Sequence, residues 1–111
     1  MPTIRESMLA DCPAVQAPYG EQPVHVQYFN EVVVARSKCT LKAVCVADHC
    51  YNSHNSGNSV HLAKPKYFLR KSHDTYVYVG PDYPYTGPIY HKAKGAKVAV
   101  VIGHRVKGKL V

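Results

Sequence analysis

The sequence has no tryptophan and no acidic residue after Asp82. It also has no uninterrupted apolar span of about 18 residues, so we expect no membrane-spanning helix. The first thirty residues lack the apolar stretch of a secretory signal, which predicts an intracellular protein. Without such a signal, the four cysteines are expected to be reduced thiols, because disulfides persist mainly in oxidising compartments.

Recognisable catalytic motifs are missing as well. The segment Gly103–Lys109 is rich in glycine and cations, but it does not match the Gly-x4-Gly-Lys-Ser/Thr pattern of a nucleotide-binding loop. A reactive cysteine needs a neighbouring base and an oxyanion site, and no cysteine here lies in a recognisable nucleophile turn. The sequence therefore favours a non-enzymatic protein.

The length and the turn residues predict the fold class. A chain of 111 residues has room for one hydrophobic core, so residues 1–111 are expected to form a single domain. Short runs rich in valine and tyrosine alternate with glycine and proline turns. We expect a mostly β fold, a small barrel or sandwich of about seven short strands with a short N-terminal helix. Residues 1–23 would be this helix and a proline-rich arm, packed on the β core or extending from it.

Individual elements follow from local patterns. Thr3 and Glu6 form a capping box that predicts a helix over 4–11, ended by Pro13. The β-branched run around Val32–Val34 predicts a strand over 24–36, followed by a second over 38–47 for which a helix is the alternative. Glycines and prolines then delimit the later segments. The expected strands and loops are a loop over 51–59, a short strand over 60–63, a hairpin of 66–71 with 75–79, a loop over 80–88, a hairpin of 89–93 with 96–102, a turn at 103–104 and a last strand over 106–111.

Positive charge is concentrated in the second half of the chain. Residues 1–50 have a net charge of −1, whereas residues 51–111 have a net charge of +8. A basic half of this kind predicts an anionic partner, either nucleic acid or another anionic surface. The alternative is a solvated surface that only keeps the protein soluble.

Tyrosines are interleaved with the basic residues of this half. Tyrosine rings on a sheet beside a cationic groove are typical of proteins that hold single-stranded nucleic acid, since bases stack on the rings and lysines neutralise phosphates. Tyrosines on strands also serve simply for packing, which is the competing interpretation. The predicted nucleic-acid-binding residues are Tyr76, Tyr78, Tyr83, Tyr85, Lys92, Lys94, Lys97, Arg105, Lys107 and Lys109.

Four thiol and imidazole side chains form a second candidate cluster. Cys45, His49, Cys50 and His54 carry the ligand types that zinc prefers. Their spacing, C-x3-H-C-x3-H, matches no standard zinc finger or knuckle, and no paired C-x2-C is present. Buried cysteines and surface histidines are the favoured interpretation, so no cofactor is predicted.

Two functional hypotheses follow from the sequence. The first is a basic β module that binds a polyanion, single-stranded RNA or DNA above all, through a face of lysines and tyrosines near the C-terminus. The second is a structural subunit of a larger assembly, such as a virus particle or an organellar complex, either as a homo-oligomer or bound to other proteins. In that case the arm 12–23 and the loop 80–88 would contact the neighbouring subunits.

Overall fold

The computed structural model describes residues 3–41, 44, 46–53, 66–92 and 97–111. Over these residues the chain is a mixed α/β domain with two helices and two three-stranded antiparallel sheets. The expected β-sheets and N-terminal helix are present, but a second helix makes the domain mixed α/β, and the described residues form six strands in two sheets where about seven in a barrel or sandwich were expected. The elements in chain order are α1 Ile4–Gln16, β1 Val24–His25, α2 Val26–Ser37, β2 Phe68–Arg70, β3 Thr75–Tyr78, β4 Gly87–His91, β5 Val100–Val106 and β6 Lys109–Leu110.

Helix α1 begins where the capping box predicts. The Thr3 hydroxyl accepts a hydrogen bond from the Glu6 backbone N–H, and the Glu6 carboxylate accepts one from the Thr3 N–H. The helix does not end at Pro13 but continues to Gln16. Met8 and Cys12 lie four residues apart on its buried face, so their packing outweighs the single backbone hydrogen bond that proline removes.

Helix α2 replaces the strand predicted over 24–36. Only Val24 and His25 are extended, and the His25 Nδ1 then caps the helix by accepting a hydrogen bond from the Gln27 N–H at 3.1 Å. Phe29 and Val33, at a spacing of four residues, bury one face of the helix. The strand predicted over 38–47 is not formed by the described residues of that range, and residues 46–49 form a 3₁₀ turn.

The two helices pack against each other and are joined by an ion pair. The Arg36 guanidinium donates two hydrogen bonds to the Asp11 carboxylate, with N–O distances of 2.6 and 2.8 Å. These bonds lower the pKa of Asp11 below its ordinary value of 3.8. The pair links the exposed edges of α1 and α2 beside the buried helix faces.

This ion pair makes the stability of the domain depend on pH in the acid range. Because folding lowers the pKa of Asp11, the pair stabilises the folded chain above pH 3.8, and that contribution is lost as the pH falls through the lowered value. We expect Asp11→Asn to be less stable than the native chain at pH 7 and the difference to shrink towards zero below pH 3.8. Urea unfolding of both proteins between pH 3 and 7 checks this, and a difference independent of pH would contradict it.

The first sheet has the strand order β1-β3-β2 and contains the predicted hairpin. Strands β2 and β3 pair with Phe68 opposite Tyr78, as the turn residues 72–74 predict. The Phe68 ring contacts Phe29 of α2 edge-on, with ring centroids 5.0 Å apart. The sheet therefore packs on the helices through a continuous core, which comprises Met8, Cys12, Val24, Phe29, Val33, Val46, Cys50, Tyr67, Phe68 and Tyr76.

The second sheet, β4-β5-β6, differs from the prediction in where its turns lie. The expected turn at 103–104 is wrong, because β5 runs through both residues to Val106. The chain reverses instead at Lys107 and Gly108, whose φ angles of 52° and 82° suit the twist of a two-residue hairpin. Strand β4 also includes Pro88, which had been predicted to lie in a loop. Proline is accommodated there because β4 is an edge strand of this sheet.

No helix within the described parts of the chain is both long and apolar enough to cross a bilayer. The loop predicted over 51–59 and the strand predicted over 60–63 lie almost entirely outside the described residues.

Candidate functional site

The register of the second sheet divides its side chains between two faces. Residues directly opposite each other on antiparallel strands point to the same side. Ile89 and its partner Gly103 belong to the inner face, where Ile89 is fully buried. The opposite side, here called the outer face, contains three cross-strand pairs: Tyr90 with Val101, Pro88 with His104, and Val106 with Lys109.

The outer face is largely open to solvent. The Tyr90 side chain is 43% exposed, and its partner Val101 is also exposed. Val106 and Lys109 at the other end are exposed too. An aromatic ring thus lies on an accessible sheet surface with aliphatic and cationic neighbours. Tyr90 was not among the predicted site residues, although its alternation with Ile89 was a signal for it.

The charged side chains on the three strands of this sheet are all basic. Lys92 and Lys97 are exposed near the end of the sheet at which β5 begins, and Lys107 is exposed in the β5–β6 turn. No acidic residue follows Asp82 in the sequence, so none of the three strands carries a carboxylate side chain. The side chains of the three strands therefore contribute only positive charge to this sheet.

Two of the predicted stacking rings pack on the hydrophobic core, Tyr76 buried and Tyr78 partly buried. Tyr76 is only 3% exposed, packed on Phe68 with the Arg70 guanidinium over its ring at 5.6 Å. Tyr78 packs against the same phenylalanine, and burial followed by the nearby Cys12 raises its pKa to about 12. Both rings lie on β3, the central strand of the first sheet, so they pack on the core and do not join the second sheet's outer face.

The other two predicted rings occupy the loop before β4. The Tyr83 side chain is exposed, and its ring lies 5.9 Å from that of Tyr51. The Tyr85 hydroxyl donates to the Pro88 carbonyl at 2.8 Å, and burial raises the pKa of this half-buried phenol. Of the predicted rings, Tyr83 is the exposed one.

Arg105 is also buried, whereas it was predicted to bind nucleic acid. Its Nε donates to the Tyr51 carbonyl at 3.0 Å, and its Nη1 donates to the Gly108 carbonyl at 3.3 Å. Burial lowers the pKa of this guanidinium, because removing a cation from water disfavours its charged form. Arg105 therefore joins β5 to residue 51 and to the β5–β6 turn. The remaining predicted cations Lys92, Lys97, Lys107 and Lys109 are exposed, and Lys94 lies outside the described residues.

The structure describes two of the four residues of the zinc hypothesis, His49 and Cys50. His49 is buried and stacks on Tyr67, with ring centroids 5.5 Å apart, and the buried Cys50 thiol donates to the Val46 carbonyl at 3.5 Å. Cys45 and His54 lie outside the described residues. Over the described part of the chain, no group of three or more ligand side chains is arranged to hold a metal ion. Cys12, Cys39 and Cys50 form no disulfide with one another.

Comparison with known proteins assigns the family. The profile of the family described as "Domain of unknown function (DUF7225)" matches residues 14–111. The chain belongs to this family. It is also 36% identical to the uncharacterized protein YnaC of Bacillus subtilis (strain 168) over 66 residues. These aligned residues make up 60% of the chain. The match spans about a quarter of the relative's length, 24%. No solved structure gives a significant match.

Proposed function

We propose that this DUF7225 domain binds a polyanion, specifically single-stranded RNA or DNA, through the outer face of the second sheet. The observation that supports this most is the accessible Tyr90 ring on a sheet whose strands carry only basic charged side chains. A base stacks on the ring, while Lys92, Lys107 and Lys109 contact phosphates on either side. This set replaces three residues of the prediction from sequence: the buried Tyr76 and Arg105, and the partly buried Tyr78.

Binding of this kind has a characteristic dependence on salt. Each phosphate that a lysine neutralises releases counterions, so affinity for a single strand falls with a slope of roughly 0.7 per contact in a plot of log K against log salt. Fluorescence anisotropy with a labelled 12-residue oligonucleotide measures this slope. Single-stranded and duplex probes distinguish base stacking from phosphate contacts alone, because the bases of a duplex are already stacked.

The lysines of the β5–β6 turn provide the first test. We expect the double substitution Lys107→Gln/Lys109→Gln to weaken binding and to reduce the salt slope by roughly 1 to 2. Lys38→Gln/Lys71→Gln is the matched control, since both lysines are exposed but lie outside the second sheet. Equal losses in the two double variants would indicate non-specific attraction to the whole cationic surface and would contradict the proposal.

Tyr90 provides the second test, which addresses stacking. Tyr90→Leu is expected to weaken binding of the single strand about tenfold, because stacking of one base contributes about 1–3 kcal/mol. Tyr28→Leu is a closely matched control, since Tyr28 on α2 is 44% exposed. An unchanged affinity of Tyr90→Leu, with unchanged thermal stability, would exclude the ring from the interface.

A second candidate function is docking onto protein neighbours in an assembly. It is favoured by the exposed aliphatic side chains on the second sheet and directly beside it: Val98, Val100, Val101, Ile102, Val106, Leu110 and Val111. Monomers rarely expose contiguous apolar patches without an interaction partner. Light scattering on nucleic-acid-free protein tests self-assembly, and a discrete oligomer would support it, whereas a monomer at every concentration would exclude a homo-oligomer.

A further inference from the structure

The beginning of β5 and the residues just before it form an unusual run of exposed aliphatic side chains. Val98, Val100, Val101 and Ile102 occupy four of five consecutive positions, and all four side chains are exposed, Val98 to 71% and Val100 to 54%. We call these four residues the aliphatic end of β5. Single exposed aliphatics are common on protein surfaces, but a contiguous run bordered by charged residues is characteristic of an interaction site.

The aliphatic end is exposed on both sides of the sheet. Val100 lies opposite His91 and Val101 lies opposite Tyr90, so the two valines point to opposite faces. Farther along β5, the inner face is covered, as the buried Ile89 and Arg105 show. At Val100 and Val101 both faces of β5 are therefore accessible to a partner.

The charges beside the aliphatic end indicate what kind of partner it fits. Lys92 and Lys97 are exposed on the two chain segments next to it, and neither β4 nor β5 carries a carboxylate side chain. A second copy of the chain would bring these lysines towards their own counterparts, in a molecule that already has a net charge of +7. Juxtaposed like charges oppose such an association, whereas an acidic partner would gain from the same lysines.

One edge of β5 gives an extended partner additional bonding groups. Strand β6 pairs only with Arg105 and Val106, and the Val111 N–H donates to the His104 carbonyl. Within the described parts of the chain, no strand pairs with this edge of β5 over Val100–Gly103. An extended segment can dock there through its backbone while its side chains contact the aliphatic end.

We propose that the aliphatic end of β5 docks an extended segment of another protein that combines aliphatic side chains with acidic residues. This inference rests on the second candidate function, protein docking, and specifies its partner. The valines and Ile102 would contact the aliphatic side chains, and Lys92 and Lys97 would pair with the carboxylates. Nucleic acid and a second copy of the chain are the competing occupants.

Selection from a phage-displayed library of random 12-residue peptides, panned against the full chain, tests the proposal. We expect the enriched peptides to combine aliphatic residues with aspartate or glutamate. For a synthetic enriched peptide, Val98→Ser/Val100→Ser should weaken binding about tenfold, and Lys92→Gln/Lys97→Gln should weaken it several-fold with a smaller dependence on salt. Leu41→Ser, at another highly exposed aliphatic residue, and Lys38→Gln/Lys71→Gln are the matched controls and should bind as the native chain does.

Each alternative result has a separate meaning. Enrichment of neutral or basic peptides would overturn the acidic partner but leave protein docking intact. An oligomer that Val98→Ser/Val100→Ser dissociates would identify a second copy as the occupant and overturn the proposal. Loss of oligonucleotide binding in the same variant, without peptide enrichment, would assign the aliphatic end to nucleic acid. Absence of peptide enrichment together with a monomeric state would overturn both the inference and the second candidate function.

Discussion

Replacing Arg105 by alanine is expected to destabilise the domain by about 3 kcal/mol, the sum of a lost buried side chain and lost hydrogen bonds. The guanidinium is buried over the Tyr51 ring, at 6.0 Å from its centre, and donates to the carbonyl groups of Tyr51 and Gly108. Because Tyr51 is buried, its carbonyl group cannot readily regain a bond to water. Urea unfolding monitored by circular dichroism measures the loss.

Arg105→Lys separates a structural role from a role in binding nucleic acid. A lysine keeps the charge but lacks the planar arrangement of donors, so we expect it to remain clearly less stable than the native chain. The neighbouring Lys107→Ala is the control and should change stability by less than about 0.5 kcal/mol, because that side chain is exposed. If Arg105→Lys retained native stability and lost only oligonucleotide affinity, Arg105 would be a binding residue after all.

Gly108→Ala is expected to have an effect of similar size, about 3 kcal/mol, from backbone strain and a steric clash together. Gly108 has a φ of 82°, which alanine adopts only at a cost, and an added Cβ would lie 2.6 Å from the Tyr83 carbonyl oxygen. Neither backbone segment can easily move away, because the Gly108 N–H donates to the Tyr85 carbonyl at 2.7 Å. The turn and the loop before β4 would have to separate.

Gly80→Ala distinguishes the clash from the strain. Gly80 also has a positive φ, 89°, but an added Cβ there would meet no atom within 4 Å. We therefore expect Gly80→Ala to cost only the strain, about 1–2 kcal/mol, and to unfold at a higher urea concentration than Gly108→Ala. Equal urea midpoints for the two variants would show that the loop containing Tyr83 moves aside to accommodate the added methyl group.

Arg105 and Gly108 stabilise one junction in the molecule. Tyr51 accepts the bond from Arg105, and its hydroxyl donates to the Gly80 carbonyl at 2.8 Å, while Gly108 bonds to the loop before β4. The junction holds the second sheet against the remainder of the domain through its inner face. It leaves the outer face and the aliphatic end of β5 available to a partner.

Membership of the DUF7225 family places these features in a larger context. The match to YnaC covers about a quarter of that protein, so in this relative the matched region is one part of a longer chain. The oligonucleotide and peptide experiments discriminate between the two kinds of partner.

Much of the local structure was predictable from the sequence. The capping box of Thr3 and Glu6 correctly predicted the start of α1, and the polar turn at 72–74 correctly predicted the pairing of β2 with β3. These features depend on residues near each other in the chain, so their signals are local. The concentration of lysines in the second half is likewise a property of the sequence alone.

The remaining features depend on contacts between distant segments. The valines of α2 favour a strand locally, but burial of Phe29 and Val33 against Met8 and Phe68 makes a helix the stable form. The accessibility of a ring is also decided by tertiary packing, since Tyr76 and Tyr90 are both strand tyrosines and only Tyr90 faces solvent. The sequence by itself determined the helix cap, one hairpin and the sign of the charge. The tertiary structure decided which rings and cations remain on the surface, because burial depends on what packs against each side chain.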